Sequence, residues 1–252
     1  MSLNILLIGC NGAMGRTITS IVSDNDKFNI CAGVDRTAIH NQYPIYQNMW
    51  DIKESIDVII DFSSKELLES IMEFAIDRNL PVVLCTTGYD EADYRVIRER
   101  ALKIPVFNSS NMSYGVNVVL KLLEQAAKLM SEGYDIEIVE KHHNLKKDAP
   151  SGTAKMMIKA INGSLEEERN CVYGRSGNDA KRQTDEIGVH SIRGGTIPGE
   201  HSVIFAGQDE IIEINHSALS KRVFAEGALK AAIYLNGKRP GLYDMNSMIK
   251  SN

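Results

Sequence analysis

The N-terminus pairs a short apolar run with a glycine-rich turn that opens into a helix. The run from Asn4 to Ile8 suits a buried strand, and Gly9-Cys10-Asn11-Gly12-Ala13-Met14-Gly15-Arg16 follows with the pattern G-x-x-G-x-x-G. Glycines there let the backbone approach a pyrophosphate, whose charge is met by the N–H groups of the helix N-terminus. The loop predicts a dinucleotide site, with a tight turn that binds nothing as the alternative.

An acidic residue ends the second predicted strand at the spacing that a dinucleotide site requires. Asp35 stands 20 residues after Gly15, where a carboxylate would hydrogen-bond the adenosine ribose. A solvated residue at a strand end is the alternative. Arg36 can pair with a 2′-phosphate, because guanidinium and phosphate match in geometry. We therefore expect the protein to accept both NADH and NADPH.

The first half of the chain alternates continuous apolar strands with helix-length amphipathic segments. This pattern predicts an α/β fold with a Rossmann-like, doubly wound parallel sheet. A long helix over 115–132 leads to strands of alternating polarity, which suit a smaller α+β domain with an open mixed sheet. We expect a dinucleotide-binding domain over 1–113, joined by 222–252, and a substrate-binding and oligomerisation domain over 114–221. The segment 165–188 reads as a mobile loop, and the chain after Leu235 as a loose polar end.

Composition and charge exclude several classes of protein. The 252 residues carry a net charge of -5 and no basic run, which argues against nucleic acid as a partner. No apolar stretch is long enough for a membrane helix, and no signal peptide is evident, so we expect a cytoplasmic protein. The 4 cysteines are scattered without C-x-x-C spacing, which favours reduced thiols over a metal site or disulfide frame. We predict no metal.

Two loops at predicted carboxyl ends of strands carry small polar side chains. They are Cys85-Thr86-Thr87-Gly88 and Asn108-Ser109-Ser110-Asn111-Met112. Open α/β sheets bind ligands at that edge, so these loops are candidates to hold a nicotinamide carboxamide, although each also suits an ordinary turn. Ser63, in Asp61-Phe62-Ser63, is similarly ambiguous, because it could simply cap the following helix.

The densest chemistry lies in Glu140-Lys141-His142-His143-Asn144-Leu145-Lys146-Lys147-Asp148-Ala149-Pro150-Ser151-Gly152-Thr153-Ala154. A histidine can act as acid or base near neutral pH, and a lysine supplies a proton and a positive charge. With Pro150 at a helix start, the N–H groups of Gly152 and Thr153 could point at a carboxylate. The alternative is a surface loop with an adventitious metal-binding His pair and Ser151 as a helix cap. His40, His190, His201 and His216 are isolated in sequence and read as structural.

These motifs together resemble the dihydrodipicolinate reductase family, over almost the full length of the chain. The resemblance rests on the glycine loop, on Thr86-Thr87-Gly88 and above all on the His-His-Lys string that ends in Asp-Ala-Pro-Ser-Gly-Thr. It implies NADH- or NADPH-dependent reduction of 4-hydroxy-tetrahydrodipicolinate, a cyclic dicarboxylate, to tetrahydrodipicolinate with loss of water. That reaction serves diaminopimelate and lysine biosynthesis. The resemblance also implies a homotetramer built through the second-domain sheets.

The resemblance assigns roles residue by residue. It implies that His142 is the acid/base histidine and that Lys146 donates a proton to the ring carbon beside the one receiving hydride. The substrate-binding candidates are His143, Ser151, Gly152 and Thr153. The cofactor-binding candidates are Gly9, Cys10, Asn11, Gly12, Ala13, Met14, Asp35, Arg36, Cys85, Thr86, Thr87, Ser109, Ser110, Asn111 and Met112.

The sequence departs from the best-known members in two places, and rival functions stay open. Asn144-Leu145 replaces a basic pair, which bears on the strength of substrate-carboxylate binding and not on the reaction. Cys85 replaces a glycine, which is harmless if only its backbone touches the cofactor. The alternatives are another two-domain dehydrogenase, of the aspartate or homoserine type, and a non-catalytic NAD(H)-sensing module.

Overall fold

The computed structural model describes residues 2–37 and 42–251, and it divides the chain into two compact units. One unit joins the N-terminal part of the chain, up to Tyr114, to the C-terminal part from Lys221 onward. The other unit is the continuous segment Gly115–Ser220. His40 lies outside the described residues.

The first unit is built on a seven-stranded parallel sheet of order β12-β6-β5-β4-β1-β2-β3. Its strands are β1 (Leu3–Ile8), β2 (Phe28–Val34), β3 (Ile45–Tyr46), β4 (Val58–Asp61), β5 (Val82–Leu84), β6 (Pro105–Asn108) and β12 (Gly241–Tyr243). Its helices are α1 (Ala13–Val22), α2 (Leu68–Asp77), α3 (Glu91–Ala101), α6 (Arg222–Leu235) and α7 (Met245–Lys250). Short 3-10 turns occupy Met49–Asp51 and Lys65–Leu67.

Alternate residues of the central strands enter two separate cores, because successive side chains of a strand point to opposite faces. In β1, Ile5 and Leu7 pack in the core that also contains α1, α6 and α7. Leu6 and Ile8 pack in the opposite core, against α2 and α3. Helices thus cover both faces of the sheet, which confirms the predicted doubly wound α/β fold.

The second unit carries a five-stranded mixed sheet of order β11-β10-β7-β9-β8. Its strands are β7 (Asp135–His142), β8 (Asn170–Tyr173), β9 (Glu186–Arg193), β10 (Glu200–Ala206) and β11 (Ile211–Ser217). The helices α4 (Tyr114–Leu129) and α5 (Gly152–Asn162) share one core with the apolar residues of β7, β9 and β10. The alternating strands therefore form an open mixed sheet with one covered face, as predicted.

Two segments that the sequence suggested were irregular contain regular structure. The predicted mobile loop 165–188 holds β8, which pairs in parallel with β9. The loop is also tethered, since Arg169 donates hydrogen bonds to the carbonyls of Ser131 and Tyr134. After Leu235 the chain is not loose, because β12 pairs with β6 at the edge of the large sheet and α7 follows it.

Candidate active site

The glycine loop packs tightly against backbone at Gly9 and Gly15, and Gly12 between them is exposed. A β-carbon on Gly9, where φ is +78°, would lie 2.6 Å from the carbonyl oxygen of Phe62, and one on Gly15 would overlap the carbonyl of Cys10. At Gly12 a β-carbon would meet only the Gly9 oxygen, at 3.2 Å. Gly12 is the N-cap of α1, which has no side-chain cap and no acidic residue in its first turn. The start of α1 therefore suits an anion.

A cavity of about 810 Å³ adjoins this loop in the first unit. Asp35 lines it; one carboxylate oxygen accepts the Asn11 N–H at 2.8 Å, and the other accepts the Arg36 N–H at 2.8 Å. Trp50 and Glu66, which belong to none of the sequence motifs, also line it. The predicted residues that line the cavity are Gly9, Asn11, Gly12, Asp35 and Arg36.

Two predicted residues of the loop contribute differently. Cys10 is fully buried, and burial, with the nearby charge of Asp35, raises the pKa of its thiol to about 11. Only its backbone is available to a ligand. Ala13 is exposed at the first position of α1. The next residue, Met14, lines a second cavity of the same unit.

This second cavity, of about 370 Å³, brings together the two polar loops that follow β5 and β6. Its predicted members are Met14, Cys85, Thr86, Thr87, Ser109, Ser110, Asn111 and Met112. Ser63 lines both cavities. Lys221 and Phe224, at the start of α6, also line the second cavity. No local sequence motif marks them, because more than 100 residues separate them from the polar loops.

A buried carboxylate supports the second cavity. Asp61, at the end of β4, accepts hydrogen bonds from the N–H and hydroxyl of Ser63 and from the Thr86 hydroxyl, the last at 2.8 Å. Burial raises the pKa of Asp61, and these donors oppose the rise. Ser63 is therefore bonded to Asp61 and does not cap the following helical turn, whose N-cap is Ser64.

In the second unit, Glu140 is the centre of the His-His-Lys segment. It points to the covered face of β7, as Ile136 and Ile138 do, and is fully buried. Its carboxylate lies 2.6 Å from His142 Nδ1 and accepts two bonds from Arg193, at 2.7 and 2.8 Å. It also accepts the Ser151 N–H at 3.1 Å. Burial alone would raise the pKa of Glu140, but the bonds from Arg193 and then His142 lower it to about 2.

Two of the histidines that are isolated in sequence have side-chain partners in the structure. His201 Nε2 lies 2.9 Å from the Ser151 hydroxyl, and its ring packs edge-on against His142 with centroids 5.1 Å apart. Burial, with the neighbouring His142, lowers the pKa of His201 to about 4. His190 Nε2 lies 2.8 Å from a Glu137 carboxylate oxygen. The His201 contact depends on the pairing of β10 with β7, and the His190 contact on the pairing of β9 with β7. The local sequence does not reveal either pairing.

Ser151 is the N-cap of α5, where its buried hydroxyl accepts the N–H of Ala154 at 3.2 Å. Pro150 thus precedes the cap, and the helix begins at Gly152 and not at the proline. Nothing lies within 4 Å of where a β-carbon on Gly152 would stand, and the first turn has no acidic residue. The helix therefore presents open space at the residue that the sequence assigned to a substrate carboxylate.

The remaining predicted residues of this segment lie between β7 and α5, except Thr153, which is in the first turn of α5. Lys146 Nζ is 2.7 Å from an Asp148 carboxylate oxygen. His143 and Thr153 are half-buried, and Leu145 is exposed.

Across the described residues, no group of three His, Cys, Asp or Glu side chains could hold a metal ion. None of the described helices has the length and apolar character to cross a membrane.

Two family models together cover nearly the whole chain. The model for the N-terminus of dihydrodipicolinate reductase matches residues 3–112, and the model for its C-terminus matches residues 115–249. The chain belongs to the dihydrodipicolinate reductase family. The resemblance carried by the glycine loop and the His-His-Lys string is thereby confirmed.

Other members of the dihydrodipicolinate reductase family match over their full length. The 4-hydroxy-tetrahydrodipicolinate reductase of Caldanaerobacter subterraneus subsp. tengcongensis is 48% identical, over 99% of each chain. That of Clostridium tetani is 45% identical, over 100% of this chain and 98% of the relative. Among solved structures, the dipicolinate-bound dihydrodipicolinate reductase from Paenisporosarcina sp. TG-14 superposes with a TM-score of 0.82. It is 20% identical and covers 98% of this chain and 99% of its own, which supports the fold.

Proposed function

We propose that this protein reduces 4-hydroxy-tetrahydrodipicolinate to tetrahydrodipicolinate with loss of water, in the diaminopimelate route to lysine. The observation that carries the proposal is the cluster around Glu140, which joins the side chain of His142 to the N-terminus of α5. A proton-transferring ring and a helix start open to an anion thus lie in one hydrogen-bonded group. The names of the relatives support the same reaction.

The two cavities of the first unit fit a nicotinamide dinucleotide. Gly12, exposed at an uncapped helix start, fits its pyrophosphate, and Asp35 lines the larger cavity where a ribose would bind. The second cavity offers hydroxyl and amide groups for the carboxamide. NADH or NADPH supplies the hydride, and we propose that both are accepted, since Arg36 stands beside Asp35.

The substrate carries two carboxylates, and the second unit has groups that suit them. The α5 N-terminus at Gly152 and Thr153 can accept one carboxylate through its N–H groups and its dipole. His143 and the ammonium of Lys146 supply further donors. Positive groups placed where electron density grows during reduction would lower the barrier, because they stabilise that charge more in the transition state than in the ground state.

Lys146 is the proposed proton donor to the ring carbon beside the one that receives hydride. Its ammonium lies 2.7 Å from an Asp148 carboxylate oxygen, which holds the end of the side chain in place. His142 is the proposed acid/base group, and its ring position is fixed by Glu140. We further propose a cytoplasmic homotetramer assembled through the open face of the mixed sheet.

The test is oxidation of NADH and NADPH with substrate generated in place from pyruvate and aspartate semialdehyde by a dihydrodipicolinate synthase. Wild type should oxidise both cofactors only when the generating system is complete. His142→Ala and Lys146→Ala should each lower kcat by on the order of 100-fold. Lys147→Ala, at an exposed neighbouring lysine, should match wild type.

Other outcomes would favour the rival functions. Oxidation with aspartate or homoserine, but not with the generated substrate, would assign the protein to another class of dehydrogenase. Cofactor binding without turnover of any substrate would favour an NAD(H) sensor, and either result would overturn the proposal.

A further inference from the structure

We propose that Glu140, held by Arg193, is a positioning residue that leaves the Nε2 atom of His142 as the only ring atom that exchanges a proton. This inference rests on the proposed function, because it assumes that His142 takes part in the reaction. Glu140 and Arg193 would then act through His142, by holding its ring in place.

The contact between Glu140 and His142 fixes which ring nitrogen carries the proton. The fully buried carboxylate lies 2.6 Å from Nδ1. An ionised carboxylate has lone pairs and no proton, so it can only accept. Nδ1 must therefore carry the hydrogen, and the neutral ring presents Nε2 as an acceptor.

The other end of the ring is available. In the part of the chain that the structure describes, His142 Nε2 has no hydrogen-bond partner, and the His142 side chain is 11% exposed. Nε2 faces Gly199, where a β-carbon would stand 3.1 Å from it. Any larger residue at that position would crowd this atom, so the glycine keeps the approach to Nε2 open.

Arg193 keeps Glu140 ionised although the carboxylate is buried. Its guanidinium donates to both carboxylate oxygens, at 2.7 and 2.8 Å, in the two-pronged geometry that gives strong charged pairs. The same guanidinium donates to the backbone carbonyl of Asp148 at 2.7 Å. Arg193 therefore anchors both the carboxylate that holds the His142 ring and the backbone two residues after Lys146.

Glu140 also binds the N-terminus of α5, through the Ser151 N–H. Because this N–H donates to the same carboxylate, Ser151, the N-cap of α5, is hydrogen-bonded to Glu140, which also orients His142. Loss of the carboxylate should therefore affect proton exchange at His142 and the placement of α5 together.

Glu140→Gln is a sharp test, because it changes charge and donor pattern with little change in volume. The Ser151 N–H and one Arg193 N–H donate to the carboxylate oxygen Oε1, so the amide oxygen of the glutamine would take that position and leave the amide NH₂ facing His142 Nδ1. That arrangement favours the opposite tautomer, with Nε2 carrying the hydrogen. Glu140→Asp keeps a carboxylate and should keep the wild-type tautomer.

The chain offers a matched control on the same strand. Glu137 also pairs with a histidine, His190, and with two arginines, Arg175 and Arg182. Glu137→Gln therefore removes a comparable carboxylate from β7 without touching His142. Its effect on folding gives the background against which Glu140→Gln is compared.

The measurement is the ¹⁵N chemical shift of the His142 ring nitrogens in the full-length protein at pH 8, assigned by comparison with His142→Ala. We expect a protonated Nδ1 and an unprotonated Nε2 in wild type, Glu140→Asp and Glu137→Gln, and the reverse in Glu140→Gln. In the reductase assay, kcat of Glu140→Gln should fall on the order of 100-fold, with KM changed about threefold or less. Thermal unfolding confirms that each variant is folded.

Two results would overturn the inference: a wild-type ring with the hydrogen on Nε2, or a Glu140→Gln variant with the wild-type tautomer and kcat. Failure of the proposed function looks different, since wild type would then lack reductase activity while the ring shifts still report the tautomer. An active His142→Ala variant would likewise overturn the role of His142 and not the contact with Glu140.

Discussion

Gly227 in α6 lies so close to Met112 that a β-carbon on the glycine would overlap the Met112 carbonyl oxygen. The helix therefore packs directly on the backbone of a loop that lines the smaller cavity. We expect Gly227→Ala to lower the free energy of unfolding by about 1–3 kcal/mol, because the loop or helix must shift. NADH affinity should fall as well.

Urea unfolding and calorimetric titration with NADH check this prediction. Gly194→Ala is the control, since nothing lies within 4 Å of where its β-carbon would stand. If Gly227→Ala matched the control in both measurements, α6 would have no part in holding the cavity.

Gly152→Ala separates folding from substrate binding. A β-carbon there meets nothing within 4 Å, and alanine favours helix by up to about 1 kcal/mol over glycine, so the variant should be at least as stable as wild type. The methyl group would occupy the space proposed for a substrate carboxylate. We expect KM for the generated substrate to rise about tenfold or more, with NADH affinity unchanged. An unchanged KM would place the carboxylate elsewhere.

Thr86→Val removes one of the donors to the buried Asp61. We expect a loss of about 1–3 kcal/mol in the free energy of unfolding near neutral pH. Because the pKa of Asp61 is raised in the folded protein, its protonated carboxyl stabilises the folded state fully below the unfolded pKa of 3.8, and this stabilisation is lost as pH rises through the folded value. The Thr86 donor stabilises the ionised carboxylate, which is absent below pH 4. The variant should therefore approach wild-type stability there.

Denaturant unfolding across that pH range gives the comparison. Thr87→Val is the control, because Thr87 also lines the cavity but makes no bond to Asp61. Equal losses in the two variants at all pH values would show that the bond to Asp61 is not the cause.

The lowered pKa of Glu140 predicts how the protein responds to acid. A carboxyl whose pKa falls from 4.5 to about 2 on folding stabilises the folded state above pH 4.5 and loses that contribution as pH falls toward 2. The full contribution is about 3 kcal/mol. Glu140→Gln should flatten the acid limb of a stability–pH curve, whereas Glu213→Gln, at an exposed glutamate of β11, should leave it steep.

Arg36→Ala tests the proposed acceptance of both cofactors. Arg36 lines the larger cavity beside Asp35, so its loss should lower NADPH affinity about tenfold and leave NADH affinity unchanged, because only NADPH carries a 2′-phosphate. Fluorescence titration can follow binding, since Trp50, the 1 tryptophan of the chain, lines the same cavity. Arg95→Ala, on the exposed side of α3, serves as control. Equal losses for both cofactors would contradict the role of Arg36.

The fold class follows from the sequence because the strands of the first unit are local and strongly apolar. β1 and β4 are buried on both faces, so hydrophobicity alone reveals them. The strand β12 does not stand out in this way, since Gly241–Tyr243 is short and half-exposed and is defined only by its pairing with β6. β8 escapes prediction for the same reason.

The candidate site is predictable where its residues are close in sequence. The string from His142 to Thr153 could be found by reading along the chain. Arg193 could not, because it lies 53 residues from Glu140 and reaches it only through the pairing of β7 with β9. The contact of His201 with Ser151 spans 50 residues and depends on the pairing of β7 with β10.

The division of the chain also orders events during synthesis. The first unit needs α6, β12 and α7, which are the last described elements of the chain, whereas the second unit is one continuous segment. On the ribosome, all of Gly115–Ser220 emerges before α6, which shares with α1 the cover of one face of the large sheet. Until α6 is made, α1 is the only long helix that covers the apolar side chains of β1 and β4 on that face, within the described part of the chain.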